Sequence, residues 1–256
     1  MTISISHRFI FVHVPKTAGT ALTAALQPFV GPDTRTIWRS ILRRLPVREA
    51  PERAYLRKHD PATKIIAKLS RPVYDGFHSF PVVRNPFDHA VSHYEFMKEF
   101  RIRKVAEKIA AMSFEEYLDY RMKAPFWNDT FFARQPNQSW FVTDRSLAGS
   151  AGGAGSAGGS GSAGGSGALL VNRVMYFETL AADFDRLVAD LGLAGATLAH
   201  VNKTRAKSEA RPYPDYYDAA TTEMVRHYYA EDFATFGYST DLDRRAPLWR
   251  VGAGGN

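Results

Sequence analysis

The sequence predicts an α/β fold in which helices flank a central, mostly parallel β-sheet. Short apolar runs rich in β-branched and aromatic residues alternate with segments of helical periodicity, and this alternation is typical of a parallel sheet. Two of the runs end in a tight turn that leads directly into a helical segment. With 256 residues, 45% of them hydrophobic, the chain can bury a sizeable core. We therefore expect a single domain over residues 1–256.

The first strand-turn-helix unit spans residues 8–22, with the sequence RFIFVHVPKTAGTAL. The run from Phe9 to Val14 predicts a buried strand, which Pro15 ends, and a helix is predicted from Thr20 to Phe29. The turn directs backbone N–H groups and the positive end of the helix towards one point, where a phosphate or sulfate would be stabilised. Lys16 adds a mobile cation. An ordinary turn with a solvated lysine is the alternative, so a second motif has to decide between them.

The second unit has the same organisation. The run from Phe77 to Val83 predicts a buried strand, and it leads into Arg84 and a following Asn-Pro pair. Arg84 suits a terminal phosphate because its planar guanidinium can donate two parallel hydrogen bonds. Ser92 lies two turns into the next helix, which is indicated by the helical spacing of Phe87, Val91, Tyr94 and Met97. Two such units suit a ligand with two separated anionic groups.

Capping and periodicity signals predict the other elements. Asp60 and Pro61 indicate a helix with Asp60 as its N-cap. Ser113 and Glu116 form a capping box for a helix that continues to about Met122. The remaining predictions are a helix near 37–45, a third strand at 169–177, helices at 178–191 and 216–236, and a loosely held tail after Asp243. Residues 149–167 contain only Gly, Ala and Ser and predict a flexible tether, either engineered or natural.

Composition narrows the classes of partner. The net charge of +7 favours anionic partners, and eight cations against two carboxylates lie between residues 34 and 58. This basic stretch has no pattern of a nucleic-acid-binding motif, so we expect no nucleic acid partner. A solvated helix face is the commoner explanation of such a run of charges, and an anionic ligand attracted by Arg39, Arg43 and Arg44 is the alternative.

Other features exclude several kinds of site. The chain has no cysteine, which rules out disulfides and thiolate metal sites, and its eight histidines show no metal-ligand spacing. We therefore expect no metal. No apolar run is long enough to cross a bilayer, and the N-terminus lacks the pattern of a secretory signal. We expect a cytoplasmic protein without an integral membrane segment; the oligomeric state is not indicated.

Both units resemble the motifs of a known enzyme family. FVHVPKTAGTAL is similar to the 5′-phosphosulfate loop, and VVRNPFDHAVSHY to the 3′-phosphate motif, of the carbohydrate sulfotransferases that use 3′-phosphoadenosine-5′-phosphosulfate (PAPS). This family includes Golgi and bacterial types, and the chain is similar to the heparan sulfate 2-O- and chondroitin sulfotransferases; we expect a bacterial origin. The similarity continues through KHDPATKI, QSWFVTD, MYFETLAADFDRL and HYYAEDFATFGY. It implies a P-loop-like three-layer sandwich.

The resemblance also implies an activity and its residues. The enzyme would transfer the sulfuryl group of PAPS to a hydroxyl of a carbohydrate or glycoconjugate, without a metal. Lys16 would stabilise charge on the bridging oxygen as the S–O bond breaks. The implied PAPS contacts are Lys16, Thr17, Ala18, Gly19 and Thr20 for the 5′-phosphosulfate, Arg84 and Ser92 for the 3′-phosphate, and Lys203, Arg205 and Lys207 in a late basic loop.

The acceptor hydroxyl must lose a proton, so a base is expected nearby. His59 lies where related sulfotransferases place a histidine base, and an imidazole with a pKa of about 6.5 is suited to that role at neutral pH. Alternatively, His59 merely precedes the helix that starts at Asp60. We expect His13 to pack inside the first strand. His78 and His89 are expected at outer or nucleotide-side surfaces, although the family commonly has an arginine at the position of His89.

Other polar and aromatic residues allow two interpretations. Glu178 begins the third strand-helix junction, and we favour a structural role in which it stabilises the helix dipole. Flat aromatic faces and amides suit sugar rings and hydroxyls, but they also suit cores and turns. The residues concerned are Trp127, Asn128, Gln135, Gln138 and Trp140.

Two other functions remain possible for this sequence. One is a P-loop-like kinase that transfers phosphate. In a Walker A loop, however, the Lys-Thr pair follows the glycines, whereas here Lys16 and Thr17 precede Gly19. The other is a non-catalytic protein that binds a nucleotide or a glycan.

Overall fold

The computed structural model describes residues 2–31, 47–54, 56–123, 137–144, 167–198 and 211–251. Several predictions fall outside these ranges. They concern the helix near 37–45, the cations Arg39, Arg43 and Arg44, the aromatic-rich residues Trp127, Asn128 and Gln135, nearly all of the Gly/Ala/Ser tether, and the basic residues Lys203, Arg205 and Lys207.

Four described strands form one sheet in the order β1-β2-β3-β4. They are β1 (Thr2–Ser4), β2 (Phe9–Val12), β3 (His78–Val83) and β4 (Met175–Tyr176). β1 pairs antiparallel with β2, whereas β2 with β3 and β3 with β4 are parallel. The prediction of an α/β fold with a mostly parallel sheet is confirmed. Because β2 and β3 are parallel neighbours, the segments that follow them leave the same edge of the sheet.

Helices alternate with the strands along the described part of the chain. They are α1 (Gly19–Leu26), α2 (Ala62–Leu69), α3 (Arg71–Asp75), α4 (Pro86–Lys98), α5 (Arg103–Ala110), α6 (Phe114–Lys123), α7 (Leu180–Leu191), α8 (Ala219–Tyr228) and α9 (Ala230–Phe236). Short 3₁₀ turns occur at Gln27–Phe29, Ser139–Phe141, Phe177–Thr179 and Tyr213–Tyr216. Within the described ranges, none of these helices has the length and apolar character that crossing a bilayer demands.

The sheet buries apolar side chains on both of its faces. Phe9 and Phe11 of β2 pack with α1 and α7 in one cluster, while Ile10 and Val12 pack with α2, α4 and α9 in the other. All four side chains are fully buried. A strand covered on both faces needs a continuous apolar run, and this is why FIFV lacks the alternation of a half-exposed strand.

Three predicted elements differ from the structure. Asp60 is not the N-cap of α2, because its carboxylate turns back to accept from the backbone N–H of Arg57 (2.6 Å) and pairs with Lys64 (2.8 Å). The third strand is limited to β4, and Leu169 instead forms an antiparallel bridge with Thr143. The long helix at 216–236 is divided at Tyr229 into α8 and α9. Neither glycine nor proline marks that break in the sequence.

The tail after Asp243 is held by long-range contacts, contrary to the prediction. Asn85 donates from Nδ2 to the backbone carbonyls of Arg244 (3.2 Å) and Arg245 (3.1 Å). Further along, the Arg250 guanidinium pairs with the Asp183 carboxylate. The partners of the tail lie far away in the sequence. Composition alone could not indicate these contacts, and the prediction of a loosely held tail was therefore wrong.

Candidate active site

The loop between β2 and α1 contains two strained residues. Lys16 has φ 64° and Ala18 has φ 65°, whereas Thr17 between them does not have a positive φ. Residues other than glycine seldom adopt this conformation, which costs about 1–3 kcal/mol and is concentrated at functional sites. Alternating backbone conformations of this kind turn successive N–H groups to one side and form an anion-binding concavity. The loop thus has the backbone geometry of an anion cradle.

Thr17 and Thr20 contribute to the loop in different ways. Thr17 is fully buried, and its hydroxyl donates to the backbone carbonyl of Val14 (2.9 Å). The hydroxyl hydrogen of Thr17 therefore stabilises the turn. The donor that Thr17 can offer a ligand is its backbone N–H. Thr20 is exposed, and its Oγ1 accepts from the Lys58 ammonium at 3.4 Å. The segment that carries Lys58 thus lies against the start of α1.

Gly19 allows the His13 ring to pack against the loop. A Cβ atom at Gly19 would lie 2.0 Å from His13 Nε2, well inside contact distance. His13 is 3% exposed, and its ring stacks with Phe11 (5.4 Å between centroids), which confirms its expected packing role. Burial lowers the pKa of His13 to about 2, so the ring is neutral.

Gly19→Ala is expected to destabilise the protein by about 1–3 kcal/mol, because the new methyl group overlaps the His13 imidazole. Urea unfolding measures the change. Gly31→Ala is the matched control, since a Cβ there meets nothing within 4 Å. His13→Ala should relieve the collision, so the double variant should lose less than the two single losses added together. Full stability of Gly19→Ala would contradict this account.

His59 has the tautomer that a general base requires. Its Nδ1 lies 3.0 Å from the backbone carbonyl of His13, and a carbonyl can only accept, so Nδ1 carries the hydrogen. The lone pair of the neutral ring is therefore on Nε2. Burial lowers the pKa of His59 below 6.5, although the hydrogen bond to His13 opposes the shift. The half-buried ring is neutral at pH 7 and can accept a proton.

Lys16 projects from the loop towards α4. Its Nζ lies 4.1 Å from the centroid of the Phe96 ring, which is 41% exposed. A cation over an exposed aromatic face gains only about 0.5–1 kcal/mol, so this contact can be exchanged for a stronger one. The Lys16 side chain thus extends from the loop to the exposed face of Phe96.

Arg84 joins the two strand-turn-helix units. It follows β3 directly, is 7% exposed, and donates from Nε and Nη2 to the Asp88 carboxylate (both 2.6 Å). Its Nη1 also donates to the backbone carbonyl of Lys16 at 3.4 Å. The guanidinium lies 4.3 Å from the centroid of the Phe177 ring. The first loop and the end of the second strand thus meet.

The sequence matches the model of a protein family, described as the sulfotransferase family, over residues 1–146. This stretch is more than half of the chain and contains both units and His59. The chain belongs to the sulfotransferase family. Searches among curated proteins and among solved structures find no match to it.

The structure gives Gln138 a different role from the predicted sugar contact. Gln138 is fully buried, and its carboxamide bonds to the backbone of Arg84 and to Asp232. It is therefore inaccessible to an acceptor. Trp140 is half-buried with its ring edge against Phe141 (5.1 Å), and a sugar contact there stays a prediction. Gln138 lies in QSWFVTD and Asp232 in HYYAEDFATFGY, two of the stretches that resemble the family, but neither stretch by itself indicates that the two side chains pair.

His89 is not at the surface of the protein, contrary to expectation. It is 2% exposed, donates from Nε2 to the Pro15 carbonyl (3.0 Å), and accepts at Nδ1 from the Tyr229 hydroxyl (3.4 Å). Burial lowers its pKa to about 3, so the ring is neutral. His89 lies on the inward face of α4, behind the loop between β2 and α1. His78 is the first residue of β3, so it lies at the end of the strand opposite to the loop between β2 and α1. Of the two predicted locations, this position agrees with an outer surface and not with the nucleotide side.

Glu178 connects the third unit to the second. One carboxylate oxygen accepts from the Asn85 backbone N–H (2.7 Å) and the other from the Tyr238 hydroxyl (2.8 Å). Burial raises the pKa of Glu178. These contacts support a structural role, through hydrogen bonds that shape the turn after Arg84. Ser92 is half-buried on α4, two turns beyond Arg84.

The described ranges of the chain contain no cluster of three or more His, Asp or Glu side chains suited to holding a metal ion.

Proposed function

We propose that this sulfotransferase transfers the sulfuryl group of PAPS to a hydroxyl of a carbohydrate or glycoconjugate. The observation that carries the proposal is the contact between Arg84 and the Lys16 carbonyl, which brings two anion-binding units to one edge of the sheet. A ligand with a phosphosulfate at one end and a phosphate at the other matches that arrangement. In this proposal the loop after β2 is P-loop-like, and the sheet is the middle layer of a three-layer sandwich.

The 5′ side of PAPS would be held by the strained loop. The backbone N–H groups of residues 17–20 supply donors without a charge, and Lys16 supplies a cation. The buried Thr17 hydroxyl keeps the turn closed, and the His13 ring behind Gly19 supports it. A loop already held in this conformation does not have to be ordered when the anion binds, which favours affinity.

The 3′-phosphate would be held by Arg84. A guanidinium has five N–H hydrogens, and the contacts to Asp88 and to the Lys16 carbonyl use three of them. Two N–H groups therefore remain for phosphate oxygens. Ser92 would add a hydroxyl, and Lys203 and Arg205 would add charge from the late basic loop.

The proposed reaction is an in-line displacement at sulfur. The acceptor oxygen forms a bond to sulfur while the bond from sulfur to the 5′-phosphate oxygen breaks. His59 takes the acceptor proton at Nε2, and Lys16 leaves the Phe96 ring to stabilise the negative charge on the departing oxygen. The products are the sulfated acceptor, adenosine 3′,5′-bisphosphate and a protonated His59. An anionic saccharide is the acceptor that the basic stretch at 34–58 would favour.

Calorimetry with two nucleotides tests the nucleotide half of the proposal. We expect adenosine 3′,5′-bisphosphate to bind more tightly than adenosine 5′-phosphate, and Arg84→Ala to weaken the bisphosphate by about 10–100-fold, as expected for lost charge-assisted hydrogen bonds. Arg103→Ala is the control, because that side chain is 91% exposed and pairs only at the surface. If the wild-type protein does not bind the bisphosphate, the proposal is refuted.

Turnover with PAPS and a panel of glycans tests the transfer reaction of the proposal. A labelled sulfate on any glycan would support a transferase. Bisphosphate binding without transfer to any glycan would favour a non-catalytic binder, and phosphate transfer from ATP would favour the kinase.

A further inference from the structure

A buried pair of polar side chains holds the backbone at the end of β3. We propose that Gln138, fixed by Asp232, is a positioning residue that sets the place of Arg84 and thereby the recognition of the nucleotide 3′-phosphate. This inference rests on the proposed function, because it assumes that Arg84 binds that phosphate. Neither Gln138 nor Asp232 reaches the guanidinium itself in the contacts that the structure records.

The Gln138 carboxamide extends the sheet by one residue. The ladder between β3 and β4 ends at Val83 and Tyr176, so Arg84 is the first residue beyond it. There Gln138 Oε1 accepts from the Arg84 backbone N–H (2.8 Å), and Gln138 Nε2 donates to the Arg84 carbonyl (2.8 Å). A carboxamide has the same donor and acceptor as a peptide group. It therefore takes the place of a neighbouring strand and fixes both polar groups of the Arg84 backbone.

Asp232 fixes Gln138 in turn. Its carboxylate accepts from the backbone N–H of Gln138 (3.0 Å), the backbone N–H of Ser139 (2.8 Å) and Gln138 Nε2 (3.3 Å). Gln138 and Asp232 are both fully buried. Burying a carboxylate and a carboxamide is unfavourable unless their hydrogen bonds are satisfied, and satisfied networks of this kind are rigid. The strand end that carries Arg84 is thus connected to α9 by a rigid polar link.

The link positions the backbone of Arg84, and the contacts to Asp88, Phe177 and the Lys16 carbonyl position its guanidinium. Without Gln138, the backbone N–H and carbonyl of Arg84 would lose their partners in a buried environment, and the residue would shift to find others. The two guanidinium N–H groups proposed for the 3′-phosphate would then be misplaced. The loop after β2, which would hold the 5′ side, meets Arg84 through the longest of its hydrogen bonds, from Nη1 to the Lys16 carbonyl (3.4 Å), whereas Gln138 and Asp232 bond to the strand end and to α9.

The test is the preference for the 3′-phosphate, measured as the Kd of adenosine 5′-phosphate divided by that of adenosine 3′,5′-bisphosphate. Gln138→Met keeps the length of the side chain and removes both bonds to Arg84. We expect it to lower the preference about tenfold, the equivalent of one hydrogen bond to a buried group, while the affinity for adenosine 5′-phosphate changes less than about twofold. Asp232→Asn should lower the preference in the same direction by a smaller factor, and it serves if Gln138→Met does not fold.

Asn137→Ala is the matched control. Asn137 lies beside Gln138 and donates from its amide to a backbone carbonyl, but to that of Tyr228 instead of Arg84. We expect a lower thermal stability with an unchanged preference. In an Arg84→Ala background, Gln138→Met should have no further effect on the preference.

The outcomes separate the two proposals. A wild-type protein that does not prefer the bisphosphate refutes the proposed function. A wild-type preference that survives in both Gln138→Met and Asp232→Asn overturns only the inference about positioning. An equal loss of affinity for both nucleotides also overturns it, because that result indicates a general structural role.

Discussion

Replacement of Lys16 by methionine is expected to lower kcat for sulfate transfer by about 10²–10³-fold, the usual effect of removing one group that stabilises developing charge. Lys16 lies in the strained loop with its ammonium against Phe96, a weak contact that can be exchanged for the departing oxygen. Methionine preserves the length and apolar character of the side chain, so the loop should keep its shape. Steady-state kinetics with PAPS and a glycan acceptor measures the loss.

The affinity for adenosine 3′,5′-bisphosphate should fall less than kcat in Lys16→Met, because the backbone N–H groups of residues 17–20 and the Arg84 guanidinium would still hold its two phosphates. Lys98→Met is a matched control. Lys98 also lies over an aromatic ring, that of Tyr94 at 4.7 Å, and it belongs to α4, but it pairs with Glu95. Its replacement should leave kcat within about twofold. Equal losses in kcat and in bisphosphate affinity would show that Lys16 only binds the nucleotide.

Replacement of His59 by asparagine is expected to lower kcat/KM by about 10²–10⁴-fold, the range for loss of a general base. The asparagine amide can still donate to the His13 carbonyl, so the local structure should persist, but it offers no basic nitrogen. Bisphosphate binding should be retained. His227→Asn, an exposed residue of α8, is the control and should leave the kinetics unchanged. Unchanged turnover in His59→Asn would exclude the base role.

The pH dependence gives a second test of His59. Burial places its pKa below 6.5, and only the neutral ring can accept the acceptor proton. The value of kcat/KM should therefore rise with pH through this pKa and reach a plateau by about pH 7. The acid limb should be absent in the residual activity of His59→Asn. An acid limb centred above pH 6.5 would contradict the structure.

The sequence predicted elements where one strong local signal was sufficient. β2, β3 and α4 each follow from the spacing of apolar residues, and α6 begins at a capping box that the structure confirms with Ser113 and Glu116. β1 was missed, because three residues at a sheet edge carry no periodicity of their own. The division between α8 and α9 was also missed, since apolar spacing continues across Tyr229.

The candidate site residues could be predicted from the sequence where a local motif or a strand end indicates them. Strand ends and family motifs indicate Lys16, Arg84 and His59, and the structure brings the elements that carry them together. Gln138 and His89 were misjudged because an amide or an imidazole is equally suited to a ligand and to a buried backbone carbonyl. Only the hydrogen-bond partner decides between these roles. The partner of Gln138 is Arg84, 54 residues away, and that of His89 is Pro15, 74 residues away.

The sequence by itself determined the α/β class, the two strand-turn-helix units and the types of residue that bind anions, because these depend on local periodicity and side-chain chemistry. The tertiary structure alone decided which nitrogen of His59 carries its hydrogen, why Gly19 has no side chain, and how Gln138 and Asp232 hold the strand end at Arg84. Each of these is set by a contact between residues distant in the chain, and such contacts exist only after the sheet and helices have packed.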